Sequence, residues 1–200
     1  NNNIDLLFTL DCGTTSLDLF DKEKYLFFDT IVIDHHITED KLPKVFSIIN
    51  PNRFDENSVF KDFAAVGVTF LFLLALRKYL RENKYFKINN LKEPNLLTLL
   101  DLVALGTVCD VVSLKNYNRA IIKKGIEILH KRNNKGIATI VDNSKITHSL
   151  TVSDLGYIIG PQLNAASRID DSTLPSKILT SENIIEIESI ARKLYILNEK

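Results

Sequence analysis

The run Thr30-Ile31-Val32-Ile33 leads directly into Asp34-His35-His36, and this junction constrains the fold more than any other stretch of the chain. Four apolar or β-branched residues in a row predict a buried strand. Successive strand side chains alternate between faces, so one carboxylate and two imidazoles in sequence cannot all enter a core. They suit a strand end at the carboxyl edge of an open α/β sheet, where ligands bind. A divalent metal with a phosphate-like ligand is the natural occupant of such a spot.

Two more apolar runs end in a carboxylate. Leu6-Leu7-Phe8-Thr9-Leu10 ends in Asp11, and Leu102 to Cys109 ends in Asp110. A single strand-end Asp is usually a turn or capping residue, and a single His is more often satisfied in a core or at the surface than bound to metal. Three apolar elements with the same termination are harder to reach by accident. Asp11, His35, His36 and Asp110 form a mixed oxygen and nitrogen set that suits Mn²⁺ or Mg²⁺. Zn²⁺ suits it less, because no pair of thiols has ligand spacing. Asp11, His35 and Asp110 are expected to converge at one edge of the sheet.

The 25 basic and 25 acidic residues cancel, so any nucleic-acid surface has to be local. The two cysteines form no CxxC and predict no disulfide framework, which fits a reducing cytoplasm. Cys12 and Cys109 are expected to be small buried filler. No basic leader is visible before residue 4, and the apolar stretch Ala64–Leu76 is too short to span a bilayer. Strands are predicted over residues 4–12, 26–35 and 44–50, with Asn50-Pro51-Asn52 closing the third. Helices are predicted over 62–82, 96–106, 117–132 and 151–159, and from Ser181 to the end, with a looser segment over 133–149. The fold class is α/β, with a largely parallel sheet flanked by helices and followed by a helical connecting segment.

Four stretches carry a family resemblance: Leu10-Asp11-Cys12-Gly13; Val32 to His36 with Ile48-Ile49-Asn50-Pro51 downstream; Leu100 to Val112; and Gly160 to Arg168. Together they resemble the DHH phosphoesterases and, within them, the RecJ-type single-stranded-DNA-specific exonucleases. The resemblance runs over about residues 4–200. It implies Mn²⁺- or Mg²⁺-dependent hydrolysis of single-stranded DNA from the 5′ end in repair and recombination. It also implies roles: Asp11, His35 and Asp110 as metal ligands, with Asp11 bridging two ions. His36 is implied at the scissile phosphate, Arg168 and Asn164 on a phosphate of the strand, and Asp34 behind an imidazole.

The chain departs from the family pattern in several places. No Asp-x-Asp precedes Asp11, and no Gly-Gly-His motif follows. Gln162 and Ser167 stand where the family has Arg and Gly, and Tyr117 replaces a Glu. The chain therefore reads as part of a longer exonuclease, with residues 1–150 a partial DHH catalytic domain and 151–200 a helical connector toward a second domain. Residues 1–200 alone are expected to hold one ion well and to have little activity. Two other classes use or lose the same residues: a small-molecule or oligonucleotide phosphohydrolase of the DHH family, and a non-catalytic gene remnant.

Overall fold

The computed structural model describes residues 4–20, 28–168 and 171–199, with Arg168 described by its backbone only. The chain packs as two units. One comprises residues 1–97 and 112–118, the other residues 98–111 and 119–200. The expected boundary at 150/151 is not a boundary of the packing, because helices on both sides of it share the core of the second unit.

In the first unit, β1 (Leu6–Leu10), β2 (Asp29–Ile33) and β3 (Ser47–Ile49) form a parallel sheet in the order β1-β2-β3. Parallel neighbours need a crossover; the short helix α1 (Leu17–Phe20) lies between β1 and β2, and the first residues of the predicted strand 26–35 fall outside the described residues. The register pairs Leu10 with Ile33 and Ile33 with Ile49, so the carboxyl ends of all three strands meet at one edge. Val32 and Ile33 of the central strand are fully buried, as their β-branched run predicts. Helix α2 (Ala65–Glu82) buries Ala65, Gly67, Val68 and Phe70 and packs Phe72 against Phe8 of β1 in a tilted pair, with ring centroids 5.7 Å apart. The short helix α3 (Tyr85–Ile88) follows it.

The second unit is helical. A 3₁₀ turn, Leu96–Leu99, leads into α4 (Leu100–Cys109), which is mostly apolar and buries Asp101 and Thr107 along with Leu100, Val103, Ala104 and Leu105. Helix α5 (Asn116–Leu129) carries the chain on to α6 (Lys135–Asn143). A capping box of Thr151 and Asp154 starts α7 (Val152–Asp154). A π turn, Leu155–Ile159, and α8 (Gly160–Asn164) follow, and then a 3₁₀ turn, Ala165–Arg168. Helices α9 (Leu174–Thr180) and α10 (Ile184–Asn198) close the unit. Ile137 and Ile140 of α6, Leu155, Ile159, Ile178, and Ile187 and Leu194 of α10 form its core.

Helix α6 corrects the looser segment expected over 133–149. Its polar start, Asn133-Asn134-Lys135-Gly136, reads as loop. Yet the Asn134 side chain accepts the Ile137 N–H at 3.0 Å and caps the helix. Ile137, Ile140 and Val141 then supply the apolar face. Gly136 lets this helix approach α9: a Cβ there would lie 1.9 Å from the Ile178 carbonyl oxygen. Gly136→Ala is expected to destabilise the chain by about 3 kcal/mol, read as a lower urea midpoint.

Candidate metal centre

The geometry of the site follows from the sheet register. Asp11 directly follows β1 and Asp34 directly follows β2, so pairing Leu10 with Ile33 sets the two acidic positions side by side. The Asp11 N–H extends the ladder by donating to the Ile33 carbonyl at 3.0 Å, and the Asp34 N–H donates to the Ile49 carbonyl at 3.0 Å. Asp11 then turns off the strand in the left-handed region, with φ of 63°, a conformation Asp tolerates better than most residues. Gly13 continues the turn with φ of 112°. A side chain there would meet the Thr9 hydroxyl at 2.8 Å.

Asp34 is 1% exposed and organises the loop. Its Oδ2 accepts the Thr14 N–H at 3.1 Å. Its Oδ1 accepts the backbone N–H groups of His35 (2.8 Å) and His36 (3.4 Å), and the His36 ring at Nδ1 (2.7 Å). Burial pushes the Asp34 carboxyl upward, but hydrogen bonds from His36, Thr14 and His35 outweigh it and hold the group at about 2. The carboxylate is therefore ionised and accepts only, which places a proton on His36 Nδ1.

A carboxyl group that titrates lower in the folded chain than in the unfolded one stabilises the fold above its unfolded value, 3.8. That contribution is lost as pH falls through about 2. It amounts to about 2 kcal/mol. In metal-free protein, the urea midpoint of Asp34→Asn is expected to fall less between pH 4 and pH 2 than that of the parent. Parallel curves would contradict this reading of Asp34.

Across from Asp34, His35 Nε2 lies 3.3 Å from Asp11 Oδ1. The His35 and His36 rings are 4.7 Å apart, centroid to centroid. Asp11, His35 and His36 each offer a ligand atom, and these atoms lie within 4.8 Å of one another. Divalent ions bind carboxylate and imidazole at about 2.0–2.2 Å, so two ligands of one ion stand about 3–4.4 Å apart. Asp11 and His35, 3.3 Å apart, stand at the separation of adjacent ligands of one such ion, and a ligand atom of His36 lies within 4.8 Å of both. The Asp11 side chain is largely exposed, and that of His35 is mostly covered.

The expected convergence thus holds for Asp11 and His35, with His36 as the third member. Asp110 belongs to the second unit, where it caps the end of α4 with its N–H on the Gly106 carbonyl; Val111 beside it takes φ of 61°. Asn164 ends α8, exposed, and its carbonyl accepts the Ser167 hydroxyl at 2.7 Å. Arg168 ends the 3₁₀ turn, and its side chain lies outside the described residues. Gln162 is buried and donates to the Ser144 hydroxyl at 2.6 Å. Tyr117 packs on Phe60, with centroids 5.3 Å apart. The expectation of buried filler at Cys12 and Cys109 does not hold. Both are exposed free cysteines, although the Cys109 Sγ lies 3.8 Å from the Leu155 carbonyl and burial pushes its thiol up.

The sequence reading gives Thr14, Asn50 and Asn52 no part in the site, although Asn50 lies within one of the stretches that carry the family resemblance. Asn50-Pro51-Asn52 reads as the turn that closes a strand, yet both asparagines reach back to the histidine loop. Asn50 Nδ2 donates to the His36 carbonyl (2.9 Å) and to the Thr14 hydroxyl (3.2 Å). Asn52 Nδ2 donates to the carbonyls of His35 (2.7 Å) and Lys61 (3.0 Å). The available signal was the position of this pair directly after the strand that neighbours β2.

Comparison with known proteins gives a consistent set of relatives. The profile of the DHH family, N-terminal domain, matches residues 1–107. The single-stranded-DNA-specific exonuclease RecJ of Escherichia coli (strain K12) is 40% identical over 196 residues, which are 97% of this chain and 34% of that protein. A crystal structure of exonuclease RecJ bound to manganese superposes with a TM-score of 0.81 at 27% identity, over 98% of this chain and 46% of that one. RecJ from Thermus thermophilus in complex with Mg²⁺ superposes with a TM-score of 0.70 at 27% identity, over 98% of this chain and 26% of that one. The chain spans about a third of the length of the curated relative it matches.

Proposed function

Because the chain belongs to the DHH family, we propose that it serves metal-dependent hydrolysis of phosphodiester bonds in single-stranded DNA, with Mn²⁺ or Mg²⁺ at the Asp11–His35–His36 cluster. The observation that carries this reading is the meeting of one carboxylate and two imidazoles within 4.8 Å. It is supported by the RecJ exonucleases that the chain resembles over nearly all its length.

Asp11 and His35 would hold the ion, and His36 would face the scissile phosphate. When bound, the ion supplies Lewis acidity at the phosphate and at the attacking water. Asp34 holds the His36 ring at Nδ1 and offsets the positive charge the ring gains on protonation at Nε2. The ring can then present an Nε2–H to a phosphate oxygen as negative charge builds there. Bound through a ring nitrogen, His35 would add no charge to the ion, while Asp11 would bring the anion that matches a divalent ion.

Asp110 is assigned as a further metal ligand, and Asn164 and Arg168 as the grip on a strand phosphate, on their sequence stretches alone. Asp110→Asn is expected to weaken Mn²⁺ binding at least about ten-fold in calorimetric titration; unchanged affinity would remove it from the ligand set. Single-stranded DNA is the proposed partner. The reducing cytoplasm is the proposed location, in keeping with two free thiols. Among the described residues no helix is long and apolar enough to cross a membrane.

The direct test is digestion of a labelled single strand and of a duplex of the same sequence by residues 1–200 joined to the remaining segments of a RecJ relative, since residues 1–200 alone are expected to have little activity. Loss of the single strand alone, dependent on Mn²⁺ or Mg²⁺, is expected. Equal cleavage of both, or cleavage in the presence of chelator, would overturn the proposal.

A further inference from the structure

We infer that Asn50 and Asn52 are positioning residues for the two imidazoles, acting through the backbone carbonyls of His36 and His35; this rests on the reading of His35 and His36 as metal ligand and phosphate partner. The ground is an account of the polar backbone groups in the His35-His36 segment. Strand β2 ends at Ile33, and beyond it the ladder supplies only the Asp34 N–H bond to Ile49. Yet buried or half-buried N–H and C=O groups need partners. The two N–H groups go to Asp34 Oδ1, at 2.8 and 3.4 Å. The two carbonyls go to Asn52 Nδ2 at 2.7 Å and Asn50 Nδ2 at 2.9 Å. Side chains, and no regular secondary structure, therefore fix the peptide planes that carry both rings.

The two asparagines are themselves anchored. Asn50 is 4% exposed. Its Oδ1 accepts the Asn52 N–H at 2.8 Å, and the second proton of its amide goes to the Thr14 hydroxyl. Thr14 in turn donates its N–H to Asp34. The second amide proton of Asn52 goes to the Lys61 carbonyl. Each Nδ2 thus commits both protons, one of them to a histidine carbonyl. Asp34 holds the histidine loop from its N–H side, and the asparagines hold it from its carbonyl side. If either carbonyl swings free, its imidazole turns with it. Metal geometry tolerates little such movement: outer-shell partners of ligands typically change affinity about 10–100-fold when lost.

The isosteric change Asn→Asp separates positioning from mere packing. It keeps volume but removes both N–H donors and sets an anion against two carbonyl oxygens. The control is Asn134→Ala, which removes an α6 cap and a bond to the Leu179 carbonyl and so lowers stability without touching the histidine loop. Asn52→Asp is the primary variant, because Asn52 is only half-buried and the chain should still fold. Asn50→Asp is the second.

Two measurements are made on each protein: calorimetric titration with Mn²⁺, and nitrogen-15 spectra of the imidazole rings in the metal-free chain. Asn52→Asp is expected to weaken Mn²⁺ about 10–100-fold and to shift or broaden the His35 and His36 ring signals. Asn134→Ala should lower the melting temperature and change neither. Parent-like affinity and parent-like ring signals in Asn52→Asp would overturn the inference. If the parent itself bound no Mn²⁺, the metal reading would fall. The metal-free ring signals would then decide the positioning role alone: shifted signals support it, and unchanged signals overturn it.

Discussion

Asp11→Asn is expected to weaken Mn²⁺ binding by more than about 100-fold, beyond the roughly 10–100-fold typical of residues that only orient a ligand. The fold should survive almost unchanged. The Asp11 side chain is largely solvent-exposed, and Asn in its place keeps a polar group beside the mostly covered His35 ring. Asn is also chosen for the backbone: Asp11 has φ of 63°, which Asn tolerates and Ala resists by about 1–2 kcal/mol. Stability within about 0.5 kcal/mol of the parent, as for an ordinary surface change, would separate a lost ligand from a lost fold. Equal losses in affinity and in urea midpoint would place Asp11 in the scaffold.

The second large effect belongs to His36. Its Nδ1 is committed to Asp34 at 2.7 Å, and the proposed partner of Nε2 is the phosphate. In residues 1–200 joined to the remaining segments of a RecJ relative, His36→Ala is therefore expected to lower turnover of single-stranded DNA by about 10²–10⁴-fold, the range for a positioned acid–base group. Mn²⁺ affinity should stay within a few-fold of the parent. A parallel collapse of metal affinity would make His36 a ligand of the ion and would move the phosphate contact elsewhere.

Much of this site was legible in residue order because the signal is local. An apolar strand that stops at Asp34-His35-His36, and another that stops at Asp11, need only a parallel register to bring three ligand atoms together, and the pairing of Leu10 with Ile33 supplies it. Asp34, expected behind an imidazole, lies 2.7 Å from His36 Nδ1.

What stayed hidden acts over distance or through the backbone. Asn50 and Asn52 hold carbonyl oxygens, which leave no trace in side-chain pattern, and Asn-Pro-Asn is also what an ordinary turn looks like. Helix α6 was concealed because one Asn134 hydrogen bond converts a loop-like Asn-Asn-Lys-Gly into a cap. Cys12 and Cys109 were misjudged because composition favours buried thiols, whereas both sit at the ends of elements. Gln162, where the family pattern has Arg, is buried against Ser144; its position in the sequence carries no hint of that burial.

The most direct test is anomalous diffraction at the manganese edge from crystals of the protein soaked in Mn²⁺, alongside crystals of Asp11→Asn. A single strong peak bonded to a carboxylate oxygen of Asp11 and to His35 Nε2, within reach of the His36 ring and absent from Asp11→Asn, is the predicted result. Manganese bound elsewhere, or a peak at the histidines that persists without the Asp11 carboxylate, would contradict the account.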